Sequence, residues 1–427
     1  MHRLAAAGVA VAVAATMGCH RAQPSAVTLT FWHTFTAEET EVVNDRIAAF
    51  EAAHPDIRVQ SSAIPFGSAQ SRVKEAFFAR QAPDLFRIEA SWTPEYARLG
   101  ILEPADSWLS AEERADLLPD AATLFTVDGK LAAAPHVVDC LALLYDRRAL
   151  AAAKREVPRN YEELLDTGAA LTDARAGRYG VFVRGDGYWF LPFLWGYGGE
   201  LVDAQGGVAL DSKAAAAGMA AFAGVWRKGI TPPGTDWGND YRRMMRMFGD
   251  GHVAMILNGP WATPEILASP NFAGHAEALG IAPIPAGPKG AAPATPIGAH
   301  GYGITRTTAH KAEAALLARW LLDADSQVAF ARRTNVLPSR RSVYERREVA
   351  DNRIVQDFRT VLAGGRLRPQ DPELSYVFGL LSSAAQAAVE EQLTPADAVS
   401  AVARQWRERR ASNASSSDGA IKIEANR

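Results

Sequence analysis

Cysteine is scarce in this 427-residue sequence, and so is net charge of either sign. The only cysteines are Cys19 and Cys140. Cys140 lies in an apolar run, where a buried and unreactive thiol is expected, so no disulfide within the mature chain is predicted. The formal net charge of -3 argues against nucleic acid or an anionic membrane surface as a partner, because both usually require a basic protein surface.

The signatures of common catalytic and metal sites are also missing. The sequence has no Walker A loop, no His-Glu-x-x-His, no Gly-x-Ser-x-Gly and no Cys-x-x-Cys. Its nine histidines show no spacing typical of metal ligands. Because nothing nominates a nucleophile, we expect a protein that catalyses no reaction and needs neither a cofactor nor a metal ion.

The only long apolar run lies at the N terminus, from Leu4 to Met17, after the basic start Met1 to Arg3. A run of this length is too short to span a bilayer comfortably and is typical of the central region of a signal peptide. We therefore expect residues 1–18 to be removed during export. No other stretch is long enough for a transmembrane helix, so the sequence does not predict a channel or permease.

The end of this run, Gly18-Cys19, resembles a bacterial lipobox, in which a small residue precedes a cysteine that is lipidated and becomes the mature N terminus. Thr16 departs from the pattern, in which leucine is usual. The resemblance implies a lipid-anchored Cys19 and a tether over residues 19–26. The alternative is cleavage without lipidation, which gives a secreted form; both interpretations predict export.

Strand and helix patterns alternate along the rest of the chain. A strand pattern at 27–31 is followed by a helix that begins with the capping-box pair Thr36 and Glu39, and by a second strand at 57–59. A strand–helix–strand unit of this length predicts a parallel sheet and an α/β fold. Further strands are predicted at 84–88, 141–145 and 252–257, and further helices at 71–80, 160–171, 214–227, 309–324 and 373–392.

Two segments do not follow this alternation. Residues 283–296 are rich in proline, glycine and alanine, which predicts an irregular crossing rather than a regular element. The polar, serine-rich end, residues 411–427, is predicted to be disordered. The sequence contains no internal repeat, so a solenoid is not expected.

Three segments, in their order and separation, carry a resemblance to a known family. They are Pro135–Tyr145, the segment Phe248–Trp261 that ends in Asn-Gly-Pro-Trp, and Gly280–Ile304. Together they resemble the family 1 extracellular solute-binding proteins, which include the maltose- and trehalose/maltose-binding proteins. The similarity extends from Val27 to about Arg410, so it covers nearly the whole mature chain.

The resemblance implies a periplasmic-binding-protein type II-like fold, in which two α/β lobes are joined by three crossings and close like a hinge over a ligand. It implies an N-terminal lobe of residues 27–135 and 298–335, and a C-terminal lobe of residues 136–297 and 336–410. The crossings are then expected near Pro135, within 283–297 and near 335–342. The ligand cleft is expected at the carboxyl ends of the strands.

Aromatic residues are candidates for the cleft, because a sugar ring has a C–H face that packs on aromatic planes. The resemblance implies stacking by Trp261, which follows a Gly-Pro turn at the end of a buried strand. It implies the same for Tyr188, for which ordinary core packing is the alternative. Trp92 follows the strand at 84–88 and either walls the cleft or braces its loop.

Carboxylates are candidates because sugar hydroxyls need fixed polar partners. Asp139 interrupts an apolar strand, and a buried aspartate needs a partner, which is either a pair of sugar hydroxyls or a backbone N–H of the hinge. The resemblance implies that Glu89 is an acidic ligand contact and favours the sugar for Asp139. Glu39 either binds hydroxyls or only completes its capping box, and Asp84 is expected to be structural.

Further candidates rest on the resemblance alone. Asp186 precedes a stacking position, and His300 stands where relatives often carry tryptophan, which implies a hydrogen bond to the sugar instead of stacking. Towards the C terminus Arg366 or Arg368 could reach the ligand. Phe378 is an additional stacking candidate.

Together these residues favour reversible capture of a mono- or oligosaccharide by closure of the lobes. The resemblance implies delivery to the permease of an ABC importer with cytoplasmic ATPases, by a monomer anchored in the periplasm or on the extracytoplasmic face of a bacterial membrane. Two alternatives remain open. One is a binding protein for another solute, such as a polyamine or sugar phosphate; the other is an extracytoplasmic glycoside hydrolase, which needs two carboxyl groups about 5–10 Å apart.

Overall fold

The computed structural model describes residues 26–234, 237 and 240–424, with side chains described as far as residue 413. The predicted α/β fold is confirmed. The strands are β1 Val27–His33, β2 Ile57–Ala63, β3 Leu85–Glu89, β4 Leu102–Glu103, β5 Thr126–Val127, β6 Lys130–Leu131, β7 Ala134–Cys140, β8 Ala142–Asp146, β9 Tyr179–Phe182, β10 Val253–Asn258, β11 Leu279–Ala282, β12 Thr295–Thr305, β13 Leu337–Pro338 and β14 Gly365–Arg366.

Helices separate most of these strands, as the alternating patterns predict. They are α1 Ala37–Ala53, α2 Phe66–Phe78, α3 Thr93–Arg98, α4 Ala111–Ala115, α5 Pro119–Leu124, α6 Arg147–Ala152, α7 Tyr161–Ala170, α8 Gly187–Gly196, α9 Lys213–Arg227, α10 Asp240–Gly249, α11 Thr263–Ala268, α12 Lys311–Leu322, α13 Ala324–Thr334, α14 Arg347–Ala350, α15 Arg353–Leu362, α16 Leu374–Val389 and α17 Pro395–Glu424. The single helix predicted over 309–324 ends earlier, because Asp323 accepts the N–H of Ser326 at 2.6 Å and caps a new helix, α13.

The larger sheet, which we call the N-lobe sheet, has the order β13-β7-β12-β3-β1-β2. β1 pairs in parallel with both β2 and β3, as the predicted strand–helix–strand unit requires. β12 is antiparallel to β3 on one side and to β7 on the other. The carboxyl ends of β1, β2 and β3 therefore lie at one edge of this sheet.

The smaller sheet, which we call the C-lobe sheet, has the order β11-β8-β10-β9. Its strand β10 runs parallel to β9 and antiparallel to β8. Every residue of β10 is buried, because α8 and α9 pack on one side of the sheet while α10 covers the other. A strand that is buried on both faces has a continuous apolar sequence, which is why this strand can be predicted from the sequence.

The chain passes between the two sheets three times. The first crossing is at Leu141, between β7 and β8, and the second runs over 283–294, between β11 and β12. The third, at 367–373, links β14, which pairs with β12, to α16, which packs on α8 and α9. The first and third crossings come later than expected near Pro135 and 335–342, because β7 and β13 pair with each other inside the N-lobe sheet.

The apolar core forms two clusters that do not coincide with the two lobes. One cluster contains the N-lobe core around Phe31 and Tyr302 and continues onto one face of the C-lobe sheet, at Phe248 and Ile256. The other lies on the opposite face of the C-lobe sheet, around Phe190, Phe222 and Trp406. One body of apolar side chains thus passes through the region where the lobes meet.

The last helix extends beyond residue 410. α17 continues to Glu424, well into the segment whose composition predicts a disordered tail. Val399, Val402 and Trp406 anchor the helix in the core, and adding a turn to an existing helix costs far less than starting one. Residues 425–427 lie outside the described residues.

The predicted export segment, with residues 1–18, Cys19 and the tether up to residue 25, also lies outside the described residues. Over the part of the chain that the structure describes, no helix combines the length and apolar character needed to cross a membrane.

Candidate functional site

Three candidate residues lie on neighbouring strands where the two sheets approach each other. Glu89, the last residue of β3, pairs with His300 of β12. Asp139, near the end of β7, pairs with Gly298 of the same strand β12. The β12–β7 pairing shifts register between His300 and Gly301, and such irregularities turn side chains away from regular alternation.

Arg368, in the third crossing, forms a buried ion pair with Glu89. Its Nη2 donates to Glu89 Oε1 at 2.5 Å, and its Nε donates to the carbonyl of Ile297 at 3.2 Å. The other carboxylate oxygen of Glu89 accepts the N–H of Ser91 at 2.9 Å and the Ser91 hydroxyl, so it caps the short helix that follows β3. Because both oxygens of Glu89 are already engaged, its structural role here is to hold Arg368.

Asp139 faces Tyr188 and lacks a close donor. The Tyr188 hydroxyl lies 3.5 Å from Asp139 Oδ1 and also 3.5 Å from the carbonyl of Pro296, both at the limit of a hydrogen bond. Glycine at 298 permits this approach, since a Cβ there would lie 2.0 Å from Asp139 Oδ1. The carboxyl group therefore keeps hydrogen-bonding capacity that a hydroxyl-bearing ligand can use.

The electrostatic surroundings of Asp139 are unusual for an aspartate. Burial raises its pKa to about 7; the positive charge of Arg368 opposes this increase, while the negative charge of Glu89 adds to it. The Arg368 guanidinium also lies 5.4 Å from the centroid of the Tyr188 ring. Asp139, Glu89 and Arg368, which are buried, and Tyr188, which is partly buried, thus form one group, which we call the cleft cluster.

Trp261 lies at the corner where β10 ends, on the C-lobe side. Its indole N–H donates to the hydroxyl of Tyr241 at 3.1 Å. The ring folds back over Gly259, where a Cβ would come within 2.0 Å of it, so glycine is required there. The ring is half-buried and fixed in orientation. Such a plane suits the C–H face of a sugar ring.

Asp186 does not face the cleft cluster but positions the ring of Tyr188. It caps α8 by accepting the N–H of Tyr188 at 2.8 Å, which sets the position of that ring. Arg184 lies 3.5 Å from Asp186 and 3.2 Å from Asp240, and its guanidinium lies 5.5 Å from the Tyr241 ring centroid. The acidic residues here are therefore compensated by Arg184.

Trp92 and His300 lie on the N-lobe side, behind an exposed aromatic ring. Trp92 is only 4% exposed, and the ring of Phe66 covers it with centroids 5.5 Å apart. Phe66 also meets His300 edge-on, at 5.9 Å. Burial, with the charges of Arg87 and Arg368, holds the pKa of His300 well below its usual value, and Nδ1 of His300 has no partner among the described residues. The structure thus supports the bracing role for Trp92.

Glu39 is held beneath this region by the predicted capping box. Its Oε2 accepts the N–H of Thr36 at 2.9 Å, and the Thr36 hydroxyl accepts the N–H of Glu39 at 3.2 Å, so the predicted capping box is present. The Glu39 side chain is buried, and Oε1 lies 3.8 Å from Nη2 of Arg87. These contacts give Glu39 a structural role, although Oε1 has no hydrogen-bond partner among the described residues.

The remaining candidates divide between the cleft and elsewhere. Phe378 meets Tyr188 edge-on at 6.1 Å and so borders the cleft cluster. Arg366 instead pairs with Glu200 at 2.8 Å, outside that cluster. Asp84 accepts the N–H and hydroxyl of Thr30, both at 2.8 Å, which confirms its structural role.

Two residues of the region have no place among the sequence-based candidates. Tyr241 fixes Trp261 but belongs to an amphipathic helix with no motif of its own, so nothing in the sequence marks it. Phe66 follows β2, and applying the strand-end rule to β2 as well as β3 would have nominated it. Within the described residues, no group of three or more histidine, cysteine, aspartate or glutamate side chains is arranged to hold a metal ion.

The chain matches the family described as bacterial extracellular solute-binding proteins over residues 45–356, and it belongs to that family. The resemblance found in the sequence is thereby confirmed. Membership places the protein outside the cytoplasm.

Solved structures with the same fold extend this result. The GacH receptor of Streptomyces glaucescens GLA.O, solved unliganded and with acarbose, has a TM-score of 0.85 and 30% identity, over 90% of this chain and 98% of that chain. An ABC transporter solute-binding protein of Thermotoga lettingae TMO, bound with α-D-tagatose, has a TM-score of 0.80 and 25% identity, over 89% and 98%. The two-lobed fold expected for such proteins is confirmed.

A similar protein among the curated relatives is the maltodextrin-binding protein MdxE of Bacillus subtilis. It is 25% identical over 304 residues, which cover 66% of this chain and 69% of MdxE. These relatives are named as receptors or binding proteins.

Proposed function

We propose that this protein captures a carbohydrate between its lobes and delivers it to the permease of an ABC importer. One observation carries the proposal: the region between the lobes combines a fixed, half-exposed indole, Trp261, with a buried carboxyl, Asp139, that lacks a close donor. The first suits the apolar face of a sugar and the second suits its hydroxyls. Capture needs no chemistry, only a ligand that contacts both lobes and so favours the closed state.

The ligands of the relatives support the class of ligand rather than one sugar. GacH was solved with acarbose, the Thermotoga protein with tagatose, and MdxE is named for maltodextrin. These compounds differ in size but share hydroxylated rings. The Thermotoga protein is named as part of an ABC transporter, which supports the proposed delivery step.

We propose that Cys19 carries the lipid that anchors the protein to the outside of a bacterial membrane, and that the protein works as a monomer. A Cys19→Ser variant is expected to leave the membrane fraction and appear in the soluble extracytoplasmic fraction. Wild-type protein that is already soluble would instead support cleavage without lipidation. Light scattering of the mature protein tests the monomer.

A glycoside hydrolase is a weaker candidate for a physical reason. The acid–base pair of such an enzyme needs carboxyl groups free to donate and accept protons beside the scissile bond. Asp139 meets that condition, but both oxygens of Glu89 are bound to Arg368 and Ser91. A sugar phosphate is disfavoured in the same way, because Arg368 is already neutralised by Glu89.

The proposal is tested by thermal shift with a panel of sugars, polyamines and sugar phosphates, followed by calorimetry with each compound that raises the melting temperature. We expect sugars to raise it, and incubated sugars to remain chemically intact when analysed by chromatography. An increase in melting temperature with polyamines alone would show that the ligand is cationic and is not a carbohydrate. Release of shorter sugars would show that the protein is a glycoside hydrolase and not only a binding protein.

A further inference from the structure

We propose that Phe66 is a second stacking residue, on the N lobe, for a sugar unit distinct from the one at Trp261. The ligand is then an oligosaccharide that spans the cleft rather than a single sugar. This inference rests on the proposed carbohydrate function and concerns a residue and a ligand length that the function itself leaves open.

Phe66 is placed as a ligand-contacting ring rather than as a core residue. It is 53% exposed, whereas Phe35 and Trp92, which follow β1 and β3 of the same sheet, are buried. One face of its ring covers Trp92 at a centroid distance of 5.5 Å and an interplanar angle of 33°, so the opposite face is directed away from the core. A fixed aromatic plane with a free face is what stacking on a sugar requires.

The backbone around Phe66 is well anchored. Phe66 is the first residue of α2, and Pro65 before it restricts the chain entering the helix. The preceding Ile64 donates its N–H to the carbonyl of His33 at 2.8 Å. A ring presented by a rigid element loses little conformational freedom when a ligand binds.

A polar group beside the ring points to the same kind of ligand. His300 meets Phe66 edge-on at 5.9 Å, and its Nδ1 is buried with no partner among the described residues. A neutral imidazole nitrogen accepts a hydrogen bond from a hydroxyl. An apolar face for C–H groups and an acceptor for O–H groups together match one ring of a carbohydrate.

Phe66 follows β2 of the N-lobe sheet, whereas Trp261 follows β10 of the C-lobe sheet. Contacts lead from Phe66 to His300, whose strand partner is Glu89, then through Arg368 to Tyr188. From Tyr188 the contacts continue through Trp189 and Tyr241 to Trp261, which packs against both apolar clusters. A single sugar ring stacks on one of the two planes, so use of both requires linked rings.

Calorimetry with glucose, maltose, maltotriose and acarbose tests the inference on five proteins: wild type, Phe66→Ala, Phe66→Trp, Phe78→Ala and Trp261→Ala. Phe78 is the matched control, since it lies at the other end of α2 and is 64% exposed. We expect wild type to bind an oligosaccharide of the panel more tightly than glucose. Phe66→Ala should raise the Kd of that oligosaccharide about tenfold, the scale of one lost aromatic contact.

Phe66→Trp should restore most of the affinity because it restores a flat ring, and Phe78→Ala should leave the Kd unchanged. Equal affinities of wild type and Phe66→Ala, with Trp261→Ala still weakened, would overturn the inference alone. Tightest binding of glucose would overturn the oligosaccharide part. Failure of wild type to bind any sugar of a wider panel would instead overturn the proposed function, and this inference with it.

Discussion

Nη2 of Arg368 lies 2.5 Å from Oε1 of Glu89, in a buried ion pair that ties the third crossing to the last residue of β3. The same guanidinium lies against Tyr188 of the C lobe. One side chain thus contacts both lobes and the connection between them. Movement of the lobes must either preserve this ion pair or replace it.

Glu89→Gln should therefore destabilise the protein strongly. Removing one partner of a buried ion pair leaves a charge without compensation, which costs about 3–5 kcal/mol. Urea unfolding followed by circular dichroism measures this change. The control is Glu103→Gln, whose ion pair with Lys311 at 2.7 Å is partly exposed and should be worth less than about 1 kcal/mol. Equal, small effects of the two substitutions would show that Arg368 is not buried in solution.

Asp139 should make the stability of the unliganded protein depend on pH. Its pKa is raised from 3.8 to about 7 by burial, so between these values the folded protein binds a proton that the unfolded chain does not. The contribution of Asp139 is most favourable below about pH 4 and is lost as pH rises through about 7. Asp139→Asn should remove this loss. The difference in unfolding free energy between the variant and wild type should therefore be larger at pH 8 than at pH 5.

Carbohydrate binding should respond to the same proton in the opposite sense. An ionised carboxylate accepts stronger hydrogen bonds from hydroxyls than a neutral carboxyl does. Affinity of wild type should rise between pH 5.5 and pH 8.5, and calorimetry in buffers of different ionisation enthalpy should detect release of a proton. Asp139→Asn should bind more weakly with no such dependence. A variant with wild-type affinity would remove Asp139 from the site.

Trp261→Ala should weaken sugar binding by about 1–3 kcal/mol, the scale of losing a buried aromatic contact. Tyr241→Phe should have a smaller effect, about 1 kcal/mol, because it removes only the hydroxyl that accepts the indole N–H. Trp108→Ala is the control, since Trp108 lines a groove with Lys311 and Arg319 on the N lobe. Calorimetry that gives Trp261→Ala and Trp108→Ala the same affinity would exclude Trp261.

His136 should make the protein less stable in acid. It is fully buried, 4.5 Å from Phe330 and 5.0 Å from Tyr302 between ring centroids, and neither nitrogen has a partner among the described residues. Burial and the charge of Arg87 hold its pKa well below 6.5, so only the unfolded chain is protonated near pH 5. Stability contributed by the neutral ring is therefore lost as pH falls below about 6.5.

His136→Phe should raise the melting temperature, and the gain should be larger at pH 5 than at pH 8. The exposed His275 provides the control, because His275→Gln should change neither value. A gain that is independent of pH would mean that the benefit comes from packing alone.

Local features of the fold were predictable from the sequence. The apolar run of β10 and the Gly-Pro-Trp corner after it are legible because a strand buried on both faces is uniformly apolar. The capping box of α1 is equally local, since Thr36 and Glu39 are three residues apart. Asp139 could be recognised as a candidate because a carboxyl group buried within an apolar strand is costly unless it has a partner.

Long-range pairing was not predictable. Glu89 and Arg368 are 279 positions apart, so the sequence indicates both as candidates but not that each neutralises the other. The resemblance implies first and third crossings that are too early, because the pairing of β7 with β13 leaves no local signal in the sequence. Trp92 is a candidate because it follows a predicted strand, whereas only the packing shows that the ring of Phe66 covers it.

The apolar cluster that continues from the N lobe onto one face of the C-lobe sheet affects how the protein unfolds. Phe248 and Ile256 of one lobe share that cluster with Phe31 and Tyr302 of the other. Neither lobe can melt by itself without exposing part of its neighbour's interior. Denaturation should accordingly follow a single sigmoidal curve with no intermediate plateau. A ligand that binds one lobe should then raise the melting temperature of both lobes.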